Sequence, residues 1–333
     1  MSAEKGRQQY VSVKTEATRL TAETATFTRN IRWKGFDCKN ELSYENDDSS
    51  YNNVGALIDK QIASVHASWS LSSKLDVDEV DFFLHHTWGS SAPTTALGAT
   101  TRVYTMLQSL QLPTFTVQFE RGTEGAKKVR GCSPATIELN FGVDDSNYSV
   151  SGHAVLEDAG NVLTPAYTAP LRKLMGKDVT MYFAATLAAL GSVASPTGTI
   201  FKARTAKITK TTGVDATRYF ELGSVTPTDI TADGRSITIE VEVIHSSANA
   251  AATFQNNFDA GTPMAFRLHA VGSGYPVIGT SALRPTLSLA VPPSKIMLSN
   301  AIPLDDLITQ TITIEVEQPN LAVLTTINAN GAI

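Results

Sequence analysis

The chain has 333 residues, with 27 Lys and Arg against 32 Asp and Glu for a formal charge of -5, and it is 42% hydrophobic and 18% charged. That balance excludes a disordered chain. No heptads support a coiled coil, and no run of about 18 apolar residues could form a membrane-spanning helix.

In chain order, residues 1–11 lack the apolar core of a secretory leader. Synthesis and folding in a reducing cytoplasm are therefore expected, with Cys38 and Cys132 as two small buried thiols. Residues 25–33 read as a strand. Residues 35–53, rich in Asn, Asp, Ser and Tyr, read as a long polar loop that lasts to 61; loops of that length in a compact domain are usually functional or mobile. Residues 62–71 read as a strand. The best helix is 76–88. Asp76 suits its N-cap, with Glu79 completing a capping box. Val77, Val80, Leu84 and Trp88 share one face. His85 and His86 sit at the negative end, which Gly89 closes.

Strict alternation then dominates. Phe115, Val117 and Phe119 interleave with Thr116, Gln118 and Glu120, and the pattern returns at 136–141, 237–243 and 311–317. Further strands are read at 149–156, 264–271, 286–291 and 322–328. Alternation gives each strand one buried and one wet face, the habit of antiparallel sheets. A second helix is read at 247–260, with Ala251, Phe254 and Phe258 on one face. The apolar, uncharged tail 318–333 is expected to dock. The fold class is therefore mainly β. A strand, helix, three-strand order occurs twice, about 150 to 170 residues apart. Two readings fit: an internal duplication with its connector near 165–177, or the general self-similarity of all-β chains.

Chemistry-bearing motifs are scarce. The chain has no G-x-x-x-x-G-K-[ST], G-x-S-x-G, H-E-x-x-H or C-x-x-C. No catalytic residue, cofactor or metal is assigned, and no enzyme is expected. His85 and His86 are neighbours that diverge on a helix and are read as a helix-dipole contact. His66, His153, His245 and His269 read as hydrogen-bonded sheet histidines. Asp47/Asp48, Asp144/Asp145 and Asp305/Asp306 read as turn residues. Glu138, Glu240, Glu242, Glu315 and Glu317 fall on the wet positions of several strands. They form either ordinary solvated faces or one continuous acidic surface. The mild acidity argues against a protein that grips DNA by its phosphates.

Four stretches carry a resemblance. They are 10–33 (YVSVKTEATRLTAETATFTRNIRW), 62–90 with its DVDEVDFFLHHTWGS, 115–156 with Val129-Arg130-Gly131-Cys132 before an alternating strand, and 264–328 with MAFRLHAVG, TLSLAVPPSKI and TITIEVE. Together they resemble the tail tube proteins of long-tailed bacteriophages. The resemblance implies two tandem tail-tube-type β-sandwich domains, 1–165 with an N-terminal arm and the 35–61 loop, and 166–333 with a C-terminal arm. Each would carry a short helix. It implies sheets that join between subunits into a barrel around a lumen, in trimeric rings with pseudo-sixfold symmetry or in hexamers, stacked into a tube for DNA ejection. Glu138, Glu240, Glu242, Glu315 and Glu317 would face the lumen. Asn46, Asp47, Asp48 and Tyr51 would contact the next ring. Implied partners are further copies of the chain, the tail terminator, tape measure and distal tail proteins, and DNA in transient passage, with no membrane. The expected location is the virion tail. On residues alone, two other classes stay open: a jelly-roll capsid or decoration protein, and a carbohydrate-binding sandwich. The N-terminal arm is only weakly basic for the first. For the second, Trp69 and Trp88 lie on faces read as core.

Overall fold

The computed structural model describes residues 10–24, 27, 29–47, 59–89, 91–120, 125–160, 173–216, 220–222, 224–244, 256–257, 259–298, 302–304 and 307–329. Strands β1 (Tyr10–Thr15) and β2 (Arg29–Ile31) precede a hairpin of β3 (Gly35–Asp47) and β4 (Asp59–Lys74). Helix α1 (Val77–Trp88) follows, then β5 (Ser91–Ala96), β6 (Ala99–Thr105), β7 (Phe115–Glu120), β8 (Ala126–Phe141), β9 (Ser146–Ala154) and β10 (Leu156–Ala159). The later half holds β11 (Val179–Ala184), β12 (Thr199–Phe201), β13 (Ala203–Thr211), β14 (Ser236–Ile244) and β15 (Met264–Val271). It ends with β16 (Thr286–Ser294), β17 (Ile296–Leu298), β18 (Ile302–Leu304), β19 (Leu307–Glu315) and β20 (Val323–Asn328).

Among the described residues the strands form two antiparallel sheets, of thirteen and seven strands, and neither closes on itself. The main run of the larger sheet is β3-β4-β9-β8-β13-β14-β19, with β17 and β18 along the outer edge of β19. A branch, β2-β1-β7, leaves through the first half of β8. Strand β8 turns a corner to allow this. Residues 126–132 pair with β7, and residues 133–141 pair with β9. At the corner Gly131 has φ 67°, and the register with β9 shifts after Pro134. Glycine takes that backbone without a Cβ clash, and proline cannot donate to a ladder, so the ladder changes partner there. The smaller sheet runs β12-β11-β15-β16-β20-β6-β5. The C-terminal strand β20 thus lies in a sheet interior. The β8–β13 and β6–β20 pairings both cross from 1–165 to 166–333, and one apolar core includes residues from Val11 to Leu324.

Helix α1 packs against β8 of the larger sheet and against β6 and β20 of the smaller. The Asp76 carboxylate accepts from the Asp78 amide at 2.9 Å, and Gly89 closes the helix at φ 77°. Val77, Val80, Leu84 and Trp88 are fully buried, but so are Phe82, Phe83, Asp81 and His86. The one-faced helix expected from the sequence is therefore corrected to one buried nearly all round. Glu79 does not make the capping box. It takes the Arg32 amide at 3.2 Å and faces the Arg32 guanidinium at 3.6 Å. Asp81 pairs with Arg102 at 3.0 Å and accepts from the Tyr104 hydroxyl at 2.6 Å and from Thr326. This buried carboxylate ties the helix to two strands of the smaller sheet.

The two helix histidines are a further correction. His86 lies between the Phe82 and Phe115 rings, and its Nδ1–H donates to the Phe82 carbonyl at 2.8 Å. Burial pushes its pKa down to about 3. Burial, helped by Arg102, also pushes His85 down. Both rings are neutral at neutral pH, so neither carries the charge that a helix-dipole contact needs.

The 35–53 loop is corrected as well: Gly35–Asp47 is a thirteen-residue strand paired with β4 along its whole length. The second helix falls mostly outside the described residues; Asn256, Asn257 and Asp259 are helical, and the Ala260 amide donates to the Asn256 carbonyl. The expected strand 25–33 is described as strand only at Arg29–Ile31. The connector 165–177 is described from Lys173 onward, where Leu174 donates to the Leu75 carbonyl. Before it, the chain after β1 is held by buried Glu16. Its carboxylate accepts from the Gly131 and Leu20 amides and the Thr114 and Thr116 hydroxyls.

Candidate functional site

The seven-column run from β3 to β19 has one apolar and one polar face. In β8, Ile137, Leu139 and Phe141 are buried while Thr136, Glu138 and Asn140 are half-exposed. In β14, Ile237, Ile239, Val241 and Val243 are buried while Thr238, Glu240 and Glu242 point the other way. Period-two geometry makes each strand two-faced, and antiparallel register aligns the faces across the sheet.

The polar face can be read row by row. One row runs Glu315, Thr238, Thr209, Glu138, Ser149, Ser72. The next runs Thr313, Glu240, Lys207, Asn140, Asn147, Lys74. A third places Glu242 between Thr205 and Thr311. No two carboxylates stand directly opposite in these rows. Each Glu faces Thr, Ser or Lys, which avoids the cost of like charges across a ladder.

The structure brings Glu138, Glu240, Glu242 and Glu315 onto this one face. Glu240 and Glu315 are exposed, and Glu138 and Glu242 half-buried. Glu317 lies two residues past the end of β19, exposed. Asp37 and Glu41 of β3 extend the acidic set. The cations here are few: Lys207 pairs with Glu138 at 2.9 Å, Lys39 with Glu41 at 2.8 Å, and Arg204 approaches Glu242 at 3.8 Å. The Lys39 ammonium and the Ser68 hydroxyl hold the Glu41 carboxyl below its ordinary range. With Lys74 at the end of the second row, six carboxylates among the described residues share the face with four cations. A groove of about 600 Å³ runs across it, lined by Asp37, Ser70, Ser72, Glu138, Ser149 and Ser151 among others.

Of the second candidate group, Asn46 and Asp47 belong to β3, opposite Lys60 and Asp59, and Asp48 and Tyr51 lie outside the described residues. His66 and His153 lie on the polar side of β4 and β9 with ring centroids 5.9 Å apart. Among the described residues their Nδ1 atoms, like that of His269, make no hydrogen bond, so the expected hydrogen-bonded sheet histidine is not met at that atom. Trp69 and Trp88 are core residues, as expected. Asp37 and Glu41 lie in a stretch whose Asn, Asp and Ser make it read as a loop, so the sequence does not single them out. The signal was present as alternation of Phe36, Cys38 and Leu42 with Asp37, Lys39 and Glu41.

The edges of this sheet complete the site. Among the described residues, β3 pairs with β4 alone at one end, and β17 and β18 pair with β19 alone at the other. No protein-family model matches the chain, and no curated protein matches it.

Proposed function

We propose that this chain is a tail tube subunit of a long-tailed bacteriophage. In this reading copies join edge to edge into a ring, the polar faces line a bore, and stacked rings conduct DNA. The observation that carries the reading is the main sheet: a grooved, acid-rich polar face, an apolar reverse in the core and, among the described residues, a strand with a single neighbour at each end. An exposed strand edge is a template for pairing with another chain. Here β3 offers up to thirteen residues of it.

The strand order also supports a duplicated subunit. The columns β3, β4, β9 and β8 come from the first half of the chain, and β13, β14, β19 and the β17/β18 pair from the second. The β8–β13 seam joins the two sets within one chain. A β17/β18-to-β3 seam would join them between chains, so three chains give six quasi-equivalent sets. The lining suits passage of a polyanion, because carboxylates outnumber cations on it and Lys207, Lys39 and Arg204 each already stand beside a carboxylate.

Cryo-electron microscopy of the purified chain tests this. Rings or tubes with a central pore, threefold on averaging, are expected, with the β8–β13 face inward. Closed shells would favour a capsid role, and monodisperse monomers at high concentration would refute the proposal.

A further inference from the structure

We propose that the far face of the smaller sheet binds a small free oxyanion, phosphate or sulfate, on Arg267 beneath a roof of two loops. The site uses the smaller sheet and does not depend on the tube reading. Strand β15 is buried on both faces. Phe266, Leu268 and Ala270 join the main core, so Arg267 and His269 point to the other side. Register places Tyr182 and Ala290 on either side of Arg267, and Thr180 and Ser288 on either side of His269. Directly opposed side chains start about 4.5–5.5 Å apart on one sheet face, so Arg267, His269 and Ser288 form one patch. On the Ser288 strand only the methyl group of Ala290 stands opposite the guanidinium.

Two loops cover this face. In residues 185–198 the Gly191 carbonyl accepts from Arg267 Nη2 at 2.7 Å. In residues 272–285 Ile278 packs with Ala99 and Ile327, joined by Leu283 and by Val193 of the first loop. Arg267 is 5% exposed, His269 9% and Ser288 1%. Yet Arg267 Nε and Nη1, His269 Nδ1 and Ser288 Oγ are buried and make no hydrogen bond among the described residues. Nε and Nη1 carry three of the five N–H groups of a guanidinium. The surroundings also lack a counter-charge. Residues 179–201, 268–283, 285–294 and 318–333 contain no Asp, Glu, Lys or Arg, so neither the two loops nor strands β11, β16 and β20 supply a carboxylate. Buried charges are normally paired. A small oxyanion answers every part of this: it neutralises the guanidinium and accepts from it and from the Ser288 hydroxyl. Burial and the neighbouring Arg267 push the His269 pKa down to about 4, so at neutral pH its ring is a neutral donor to the same anion. A guanidinium this enclosed is out of reach of a nucleic-acid backbone, so the ligand is the free ion. Bound there, it ties the 185–198 loop to the sheet through Arg267.

Equilibrium dialysis of the full chain against labelled inorganic phosphate, with chloride balancing the ionic strength, tests the site. About one phosphate per chain is expected, half-bound at or below about 1 mM, with sulfate competing and duplex DNA not. Arg267→Met should take up none. Ser288→Ala, which removes one buried hydroxyl, should bind several-fold more weakly. The unmodified chain gives a readout that needs no variant: in NMR spectra the His269 ring signals should follow phosphate along one saturable curve, while those of His66 and His153 stay still. Phosphate also stabilises proteins generally by exclusion from their surface, so only the saturable part of any rise in Tm, absent from Arg267→Met, counts as binding. No uptake by the unmodified chain, equal uptake by Arg267→Met, or displacement by DNA as readily as by sulfate would overturn the proposal, and none of these results bears on the tube.

Discussion

Lys210 is a buried lysine on β13 with no carboxylate partner among the described residues. Its ammonium donates to the Thr211 carbonyl at 2.9 Å and lies 5.9 Å from the Trp88 ring centre. Burial, with Arg235 nearby, brings its pKa down to about 7 from 10.5. The unfolded chain keeps this proton up to pH 10.5 while the folded one releases it near 7, so this group makes stability rise with pH across that window. Lys210→Met should therefore stabilise the protein by about 1–3 kcal/mol at pH 7, with the gain fading towards pH 10. Urea unfolding at the two pH values measures this, and a loss at pH 7 would refute it. Asp81 is the opposite case. Asp81→Ala strands Arg102, 4% exposed at its side chain, and should cost about 3–5 kcal/mol, read as a lower Tm. Nothing in the sequence pairs Asp81 with Thr326, 245 residues away. At this scale the polar residues of α1 looked like solvent-facing positions because their buried partners come from distant strands.

Elements were legible where the apolar pattern is unbroken. Strands β7, β14 and β15 follow the alternation or the apolar run almost to the residue, although β7 and β15 are buried on both faces, so the wet face expected at Thr116 and Gln118 is covered. Strand β3 carried only a short alternating signal, at 36–42: beyond Cys38, Leu42 and Tyr44 have no core beneath them, and the Asn and Asp that follow speak for a turn. The corner in β8 was visible only as Gly131 and Pro134 inside an alternating run. A Cβ at Gly131 would sit 2.7 Å from Val155 Cγ2 and 2.9 Å from Leu20 Cδ2, at a positive φ. Gly131→Ala should thus cost at least about 1–2 kcal/mol, and more than a surface Gly→Ala at Gly274, where nothing lies within 4 Å. Comparing the two variants by thermal unfolding separates a required corner from a general preference for glycine; equal effects would mean that β8 bends without needing it.

Across the whole molecule, neighbours in the sheets are not neighbours in sequence. β8 lies beside β13, and β20 lies between β16 and β6, which strand patterns cannot announce because every alternating strand suits every other. The acidic residues were legible one by one, but their shared face exists only once these pairings align them. That face makes a separable claim about DNA. With carboxylates outnumbering cations on the face, the unmodified chain should not retain duplex DNA at about 0.15 M salt, since the net acidic surface repels phosphate and releases few of the counterions condensed on the DNA. Glu240→Lys/Glu315→Lys changes two exposed positions and leaves the apolar face untouched. The fold should survive, at a cost of about 1 kcal/mol or less for setting a second ammonium directly opposite Lys207. The variant should retain DNA, with a log–log salt slope steeper by about 0.9 for each phosphate newly met. Electrophoretic mobility shifts at several salt concentrations measure both quantities. Tight, salt-sensitive binding by the unmodified chain, abolished by neutralising Lys207 and Lys39, would show that the face holds phosphate rather than letting it pass, and a wall that holds its cargo cannot serve as a conduit.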